Sequence, residues 1–268
     1  MVHAKKSLGQ NFLNSKTVAK EIVRAAELSP SDAVLEIGPG KGFLTTELLS
    51  SGAKVIAVEK DDRMVPILSE KFADQIKSKQ LTIIHGDIIE EIEKNTLSLP
   101  SKYKLVANIP YYLTGQIIRA FLETDKKPEI MVLMVQKEVA TRIAARNKKE
   151  SILSIAVKVY GTPRLVKKVP ARYFTPAPKV DSAILYISNI SNKNFGGGIT
   201  ERDFFETVRA GFAHKRKMLA GNLKNIFGEN TPGILEKVGI KNNSRAEDLS
   251  LNQWLALAEQ SSSSILRK

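Results

Sequence analysis

The chain has 268 residues, 43% of them apolar, with 41 lysines and arginines against 28 acidic residues and a net charge of +13. That length allows one large domain with a smaller partner, and the lack of cysteine excludes disulfides, a thiolate nucleophile and thiolate-held zinc. The histidines His3, His85 and His214 are too scattered for metal-ligand spacing or a serine–histidine triad, so no metal is expected.

The chain opens with "MVHAKKSLGQNFL", where Lys5, Lys6, Lys16 and Lys20 precede the first acid, Glu21. It has no apolar core of signal-peptide length, and no run longer than the "IMVLMV" kind, far short of a membrane span. Motif-like sequence begins within a few residues of Met1, leaving no room for a transit peptide. A cytoplasmic location, with no membrane partner, is the expectation.

Short apolar runs then alternate with amphipathic ones. "AVLEI" (33–37), "KVIAV" (54–58), "LTII" (81–84), "KLVAN" (104–108) and "IMVLMV" (130–135) read as buried strands. Between them, "FLTTELLSSG", "RMVPILSEKFADQI" and "GQIIRAFLET" read as helices. Near-continuous apolar strands alternating with helices predict a parallel, doubly wound α/β sheet. "SILSIAVKVYG" follows as a helix, then "PRLVKKV" and "VDSAILYI" as a final strand pair around the proline-rich loop "PARYFTPAPK". "SNISNKNFGGGIT" (188–200) has linker composition, the remainder is helical by pattern, and the tail "SSSSILRK" reads as loose.

The charge is concentrated. Between Lys137 and Lys179 lie eleven basic residues and two acidic ones, and "HKRK" at 214–217 adds a second cluster. A polyanion is the natural partner, and nucleic acid the commonest one.

The predicted strand ends carry the chemistry. Gly38, Gly40 and Gly42 follow the first strand and allow a tight turn with close backbone approach to a ligand. Glu59 ends the second strand, where it can accept bonds from ribose hydroxyls, and Asp87 ends the third, where it can accept one from an adenine amino group. Taken singly, each acid could equally be an ordinary capping residue. All of them at one sheet edge suggest a nucleoside ligand. The glycine spacing is G-x-G-x-G rather than G-x-G-x-x-G, which favours S-adenosylmethionine, a nucleoside without phosphate, over a dinucleotide.

At the end of the fourth strand stands "NIPYYL" (108–113). An exocyclic adenine amine is a poor nucleophile, so its methylation needs acceptors that grip the N–H groups and a surface that holds the ring flat. Asn108 supplies a side-chain carbonyl, Ile109 a backbone carbonyl, Pro110 a stiff turn and Tyr111 a stacking face.

These residues bring out a resemblance. "NIPY" resembles the Asn-x-Pro-Tyr motif of amino-methylating nucleic-acid methyltransferases. Together with "KSLGQNFL", "VLEIGPGKGFLT", "AVEKD", "GDI", "QKEVATRI" and "FTPAPKVDSAI", in that order, the chain resembles the KsgA-type ribosomal RNA adenine N6-dimethyltransferases. The resemblance implies a Rossmann-like class I S-adenosylmethionine-dependent sheet, mostly parallel with the last strand antiparallel, over 1–190. A smaller helical RNA-binding domain would follow over 191–268. It also implies dimethylation of two adjacent adenosines in the 3′-terminal hairpin loop of 16S rRNA, within the small ribosomal subunit, by a monomer with a role in subunit biogenesis. Carried over by motif, Asn11, Leu13, Gly38, Glu59, Asp87, Ile88 and Asn108 would line the donor site. Tyr111 would stack on the flipped base and Phe174 would pack on its other face. Lys215, Arg216 and Lys217 would contact RNA phosphates.

The nearest alternatives are an Erm-type large-subunit rRNA methyltransferase and a non-catalytic assembly factor on the same fold. "KSLGQNFL", "FTPAPKVDSAI" and "HKRKML" favour the first reading over the Erm type, and intact Asn108, Tyr111, Glu59 and Asp87 argue for catalysis. A plain dehydrogenase leaves "NIPYYL" and the basic stretch unexplained.

Overall fold

A computed structural model describes residues 3–144 and 149–265. Its main strands are β1 (Ala33–Ile37), β2 (Lys54–Glu59), β3 (Leu81–His85), β4 (Lys104–Asn108), β5 (Ile130–Gln136), β6 (Thr162–Val169) and β7 (Ser182–Ser188). They form one sheet in the order β3-β2-β1-β4-β5-β7-β6. The first five run parallel, and β7 is antiparallel to both its neighbours. The chain order reverses between β1 and β4, and ligands bind at such a switch point, beyond the carboxyl ends of the strands. Register makes that edge even: Ile37 pairs with Val58 and with Ala107, and Glu59 with His85.

The helices of the sheet-bearing part are α1 (Lys16–Ala26), α2 (Phe43–Ser50), α3 (Met64–Lys71), α4 (Ala73–Lys77), α5 (Ile88–Glu93) and α6 (Thr114–Glu123), with α7 (Lys137–Ile143) after β5. The strands are buried on both faces, as a sheet covered by helices requires: Val34, Leu35, Leu105, Val106 and Met131 through Val135 are all closed to solvent. Ser15 caps α1 by accepting from the Val18 N–H (3.3 Å), which starts the helix immediately after the N-terminal segment.

The chain divides into two compact units. One comprises residues 1–140 and 162–190, the other residues 141–161 and 191–268. The segment 141–161, read in the sequence as part of the first domain, groups with the C-terminal helices. The second unit contains α8 (Ile152–Tyr160), α9 (Glu201–Gly211), α10 (Leu219–Phe227), α11 (Thr231–Lys237) and α12 (Leu251–Ile265).

Three local expectations change. The 188–200 stretch is no free linker: Phe195 packs edge-on against Tyr160 (5.3 Å) and Phe204 (5.8 Å), and Asn194 Nδ2 donates to Val159 O (2.6 Å). Aromatic packing here overrides polar composition. "PARYFTPAPK" is not all loop, because Phe174–Thr175 pairs antiparallel with Phe12–Leu13 as a separate two-residue ribbon. In the tail, α12 continues through Ile265, while 266–268 lie outside the described residues. Arg146 and Lys148, counted in the basic stretch, also lie outside them.

Within the second unit Trp254 is fully buried and stacks on Phe212 (5.5 Å). Gly211 lets it in: a Cβ there would come within 2.3 Å of the indole.

Candidate functional site

Along the carboxyl edge of β1 to β4 lies a cleft of about 780 Å³, open to solvent. The turn after β1 forms its floor. Gly38, Gly40 and Gly42 all have left-handed φ (+65°, +57° and +73°), and a Cβ on Gly38 would meet nothing within 4 Å. That open space against backbone is a cradle that a ligand can fill.

Glu59, at the end of β2, is buried with 4% exposure. Its Oε2 accepts from Gly40 N–H and its Oε1 from Asp61 N–H, both at 2.8 Å. The carboxylate is therefore fixed in direction, and its remaining lone pairs can accept from a diol. Burial pushes its pKa up, against the pull of those backbone donors.

Asp87 caps α5 by accepting at Oδ1 from Ile89 N–H (2.9 Å), and Lys60 Nζ lies 2.5 Å from its Oδ2. Burial raises its pKa, but the Lys60 ammonium and the Ile89 N–H outweigh that, and the carboxyl sits below its ordinary value. It is both a helix cap and part of the cleft wall, with lone pairs to spare.

Asn108 ends β4. Its Nδ2 donates to Asn11 O (3.2 Å), so Oδ1 is the atom left to accept from a ligand. Pro110 holds φ −58° and ψ 134°, and its carbonyl accepts from Leu113 N–H (3.0 Å), which opens the short helical turn Tyr111–Leu113. Tyr111 is half-buried, with its hydroxyl hydrogen-bonded to Ser182 Oγ of β7 (2.7 Å), so the ring is fixed at its far end. Burial raises the phenol pKa and keeps it neutral.

A strap formed by residues 5–14 completes the wall. Asn11 faces the cleft with Leu8, Gly9, Gln10 and Phe12. Leu13 lines a smaller recess next to it, with Glu36 and Lys41.

Residues 1–262 match the family model described as ribosomal RNA adenine dimethylase. The chain belongs to that family. Among its curated relatives, ribosomal RNA small subunit methyltransferase A of Dehalococcoides mccartyi is 43% identical over 259 residues, covering 96% of this chain and 88% of the relative. The protein of the same name from Lactobacillus johnsonii is 38% identical over 270 residues, covering 96% and 90%. Among solved structures, the 23S rRNA methyltransferase ErmE superposes with TM-score 0.76 at 27% identity, over 93% of this chain and 99% of that one. A dimethyladenosine transferase from Plasmodium falciparum gives 0.77 at 28% identity, over 92% and 95%. The sheet described above is thus the Rossmann-like methyltransferase sheet of this family.

Within that frame the structure brings Asn11, Gly38, Glu59, Asp87, Ile88, Asn108, Pro110 and Tyr111 onto one cleft. Phe174 departs from expectation. It is 3% exposed and belongs to the hydrophobic core, because its pairing opposite Leu13 turns the ring inward; it does not line the cleft. Lys215, Arg216 and Lys217 sit in the second unit, on an exposed turn between α9 and α10.

Sequence reading missed Glu36. Its side chain lies inside β1 with 1% exposure, and Oε2 has no hydrogen-bond partner. Burial pushes its pKa up to about 8. The signal was available: "VLEI" is the only one of the central strands with a carboxylate in mid-run. A buried carboxyl oxygen left without a partner beside a ligand recess is costly until a donor completes it.

Proposed function

We propose that this chain transfers methyl groups from S-adenosylmethionine to the N6 amines of two adjacent adenosines in the 3′-terminal hairpin loop of 16S rRNA. Each adenosine is methylated twice, as a step in assembly of the small ribosomal subunit in the cytoplasm, and the protein acts as a monomer. The observation that carries the reading is the free acceptor Asn108 Oδ1 on the same strand-end edge as Glu59 and Asp87. The naming of relatives at 38–43% identity supports the small subunit over the large one.

The donor site fits the donor. Glu59 would take the ribose hydroxyls, Asp87 the adenine amino group, with Ile88 beside it, and Gly38 would admit the chain toward sulfur. Glu36, with its unpaired oxygen, would complete the methionine ammonium. When bound, the donor supplies an electrophilic methyl on a sulfonium, so the protein need not provide a nucleophile.

The protein's task is aim. Asn108 Oδ1 and the carbonyl of Ile109 would accept the two N–H groups of the target amine, which draws its lone pair out of conjugation and favours the positive charge that develops on nitrogen. Tyr111, tied to Ser182, would hold the flipped base flat. Lys215, Arg216 and Lys217 would hold phosphates by charge alone.

The test uses purified protein and tritiated S-adenosylmethionine with small and large subunits lacking these methyl groups, followed by nucleoside analysis. Label in small-subunit dimethyladenosine is the expected result. Label confined to the large subunit would overturn the substrate assignment, and no label in either would overturn catalysis.

A further inference from the structure

The strap is fastened by a residue that faces away from the ligand. Asp61, two residues beyond Glu59, has a side chain with no exposure and does not line the cleft. Its carboxylate accepts from Arg63 Nε (2.9 Å) and Nη2 (2.6 Å), which alone would satisfy it locally. Yet it also accepts from Gln10 Nε2 (2.8 Å), across 51 residues of sequence, and lies 3.6 Å from Lys5 Nζ. The Gln10 amide is used at both ends, since its Oε1 accepts from Lys5 N–H (2.8 Å). On either side of this clasp the strap lies flat on the cleft rim: a Cβ on Gly9 would touch the Tyr112 ring at 3.0 Å, and Phe12 lies on Gly40.

Asp61 thus has two tasks. Its N–H points Glu59, and its carboxylate holds the strap that forms the facing wall. A nucleoside in this cleft lies between the two. We propose that Asp61 and Gln10 form a clasp that positions the N-terminal strap over the bound donor, so that donor and spent product enter and leave only when Gln10 lets go of Asp61. Asp61 is a positioning residue, and the clasp sets residence time rather than the methyl-transfer step. This rests on the reading of the cleft as a nucleoside donor site.

Charge offers a discriminating variant. Gln10→Glu places a second carboxylate against Asp61, in a setting that also holds Lys5, Asp62, Arg63 and Glu59. Two carboxylates in contact cannot both ionise without cost, so the clasp would close only when a proton bridges them. Wild-type Asp61, held ionised chiefly by Arg63, has no such dependence.

The experiment measures dissociation of S-adenosylhomocysteine by surface plasmon resonance, with hydrogen exchange of the amides of residues 8–12, in wild type, Gln10→Ala and Gln10→Glu. Losing a hydrogen bond to a charged group should speed dissociation about tenfold in Gln10→Ala. Exchange in the strap should rise with and without ligand. In Gln10→Glu, affinity should recover as pH falls from 8 to 6. Unchanged dissociation and unchanged strap exchange in Gln10→Ala would overturn the clasp, as would a pH-independent Gln10→Glu. If S-adenosylhomocysteine fails to bind wild type, the donor-site reading fails, and strap exchange in the ligand-free protein still decides the clasp.

Discussion

The cleft at the sheet edge and the basic turn between α9 and α10 handle polar groups in opposite ways. In the cleft, Glu59, Asp87, Asn108 and Tyr111 are buried or half-buried, and each is fixed by one or two oriented hydrogen bonds with one face left over. At the turn, His214, Lys215, Arg216 and Lys217 stand exposed on a short tight loop, where Lys217 N–H donates to His214 O (2.9 Å). Fixed dipoles suit a rigid ligand that must be aimed to a fraction of an ångström. Exposed cations on flexible stems suit a polyanion, for which attraction matters more than register. Under the proposed function, the first unit would carry the chemistry and the second the grip.

The largest effect should follow loss of the aiming acceptor. Asn108→Ala is expected to lower turnover by about 10²–10³-fold, the range for a transition-state hydrogen-bond partner. Calorimetry should show a much smaller loss of donor affinity; an equal loss in both would make Asn108 a binding residue only. Neutralising Lys215, Arg216 and Lys217 together should flatten the salt dependence of RNA binding by about two to three units of log–log slope, at roughly 0.7–0.9 per phosphate contact. Filter binding across a salt series checks this, and donor affinity should not move.

Glu36 tests the buried side of the comparison. Its pKa is near 8 in the folded protein against 4.5 for a free carboxyl. The stability tied to its neutral form is complete below about 4.5 and is lost as pH rises through about 8. Glu36→Gln should therefore be more stable than wild type at pH 8, by on the order of 1–3 kcal/mol, with much less difference at pH 5. Urea denaturation at the two pH values reads this directly, and a pH-independent difference would contradict it. The same variant should bind donor more weakly. The smallest effect belongs to Tyr111→Phe, which keeps the ring and loses only the bond to Ser182; turnover should fall no more than about fivefold, in line with a single neutral hydrogen bond.

How much of this was legible depended on distance along the chain. Strand ends are local: the apolar runs placed Glu59, Asp87 and Asn108 at one edge, and the turn chemistry of Gly38–Gly42 marked the floor. What needed packing was not legible. The Gln10–Asp61 bond and the Phe12–Thr175 pairing join residues far apart in sequence, and neither leaves a compositional trace. Phe174 was misplaced for that reason, since a two-residue ribbon decides which way its ring turns. The grouping of 141–161 with the C-terminal helices and the docking of Phe195 on Tyr160 are likewise decided by surface match, which composition does not encode.

The most direct test of the division of labour is a single-turnover experiment, in which methyl transfer is followed against subunit concentration at saturating donor for Asn108→Ala and for the triple charge variant side by side. Asn108→Ala should keep the wild-type half-saturation point and lose the plateau rate, while the charge variant should shift half-saturation upward and reach the wild-type plateau. If both variants lose plateau and half-saturation together, chemistry and grip are not separable, and the assignment of one to each unit is wrong.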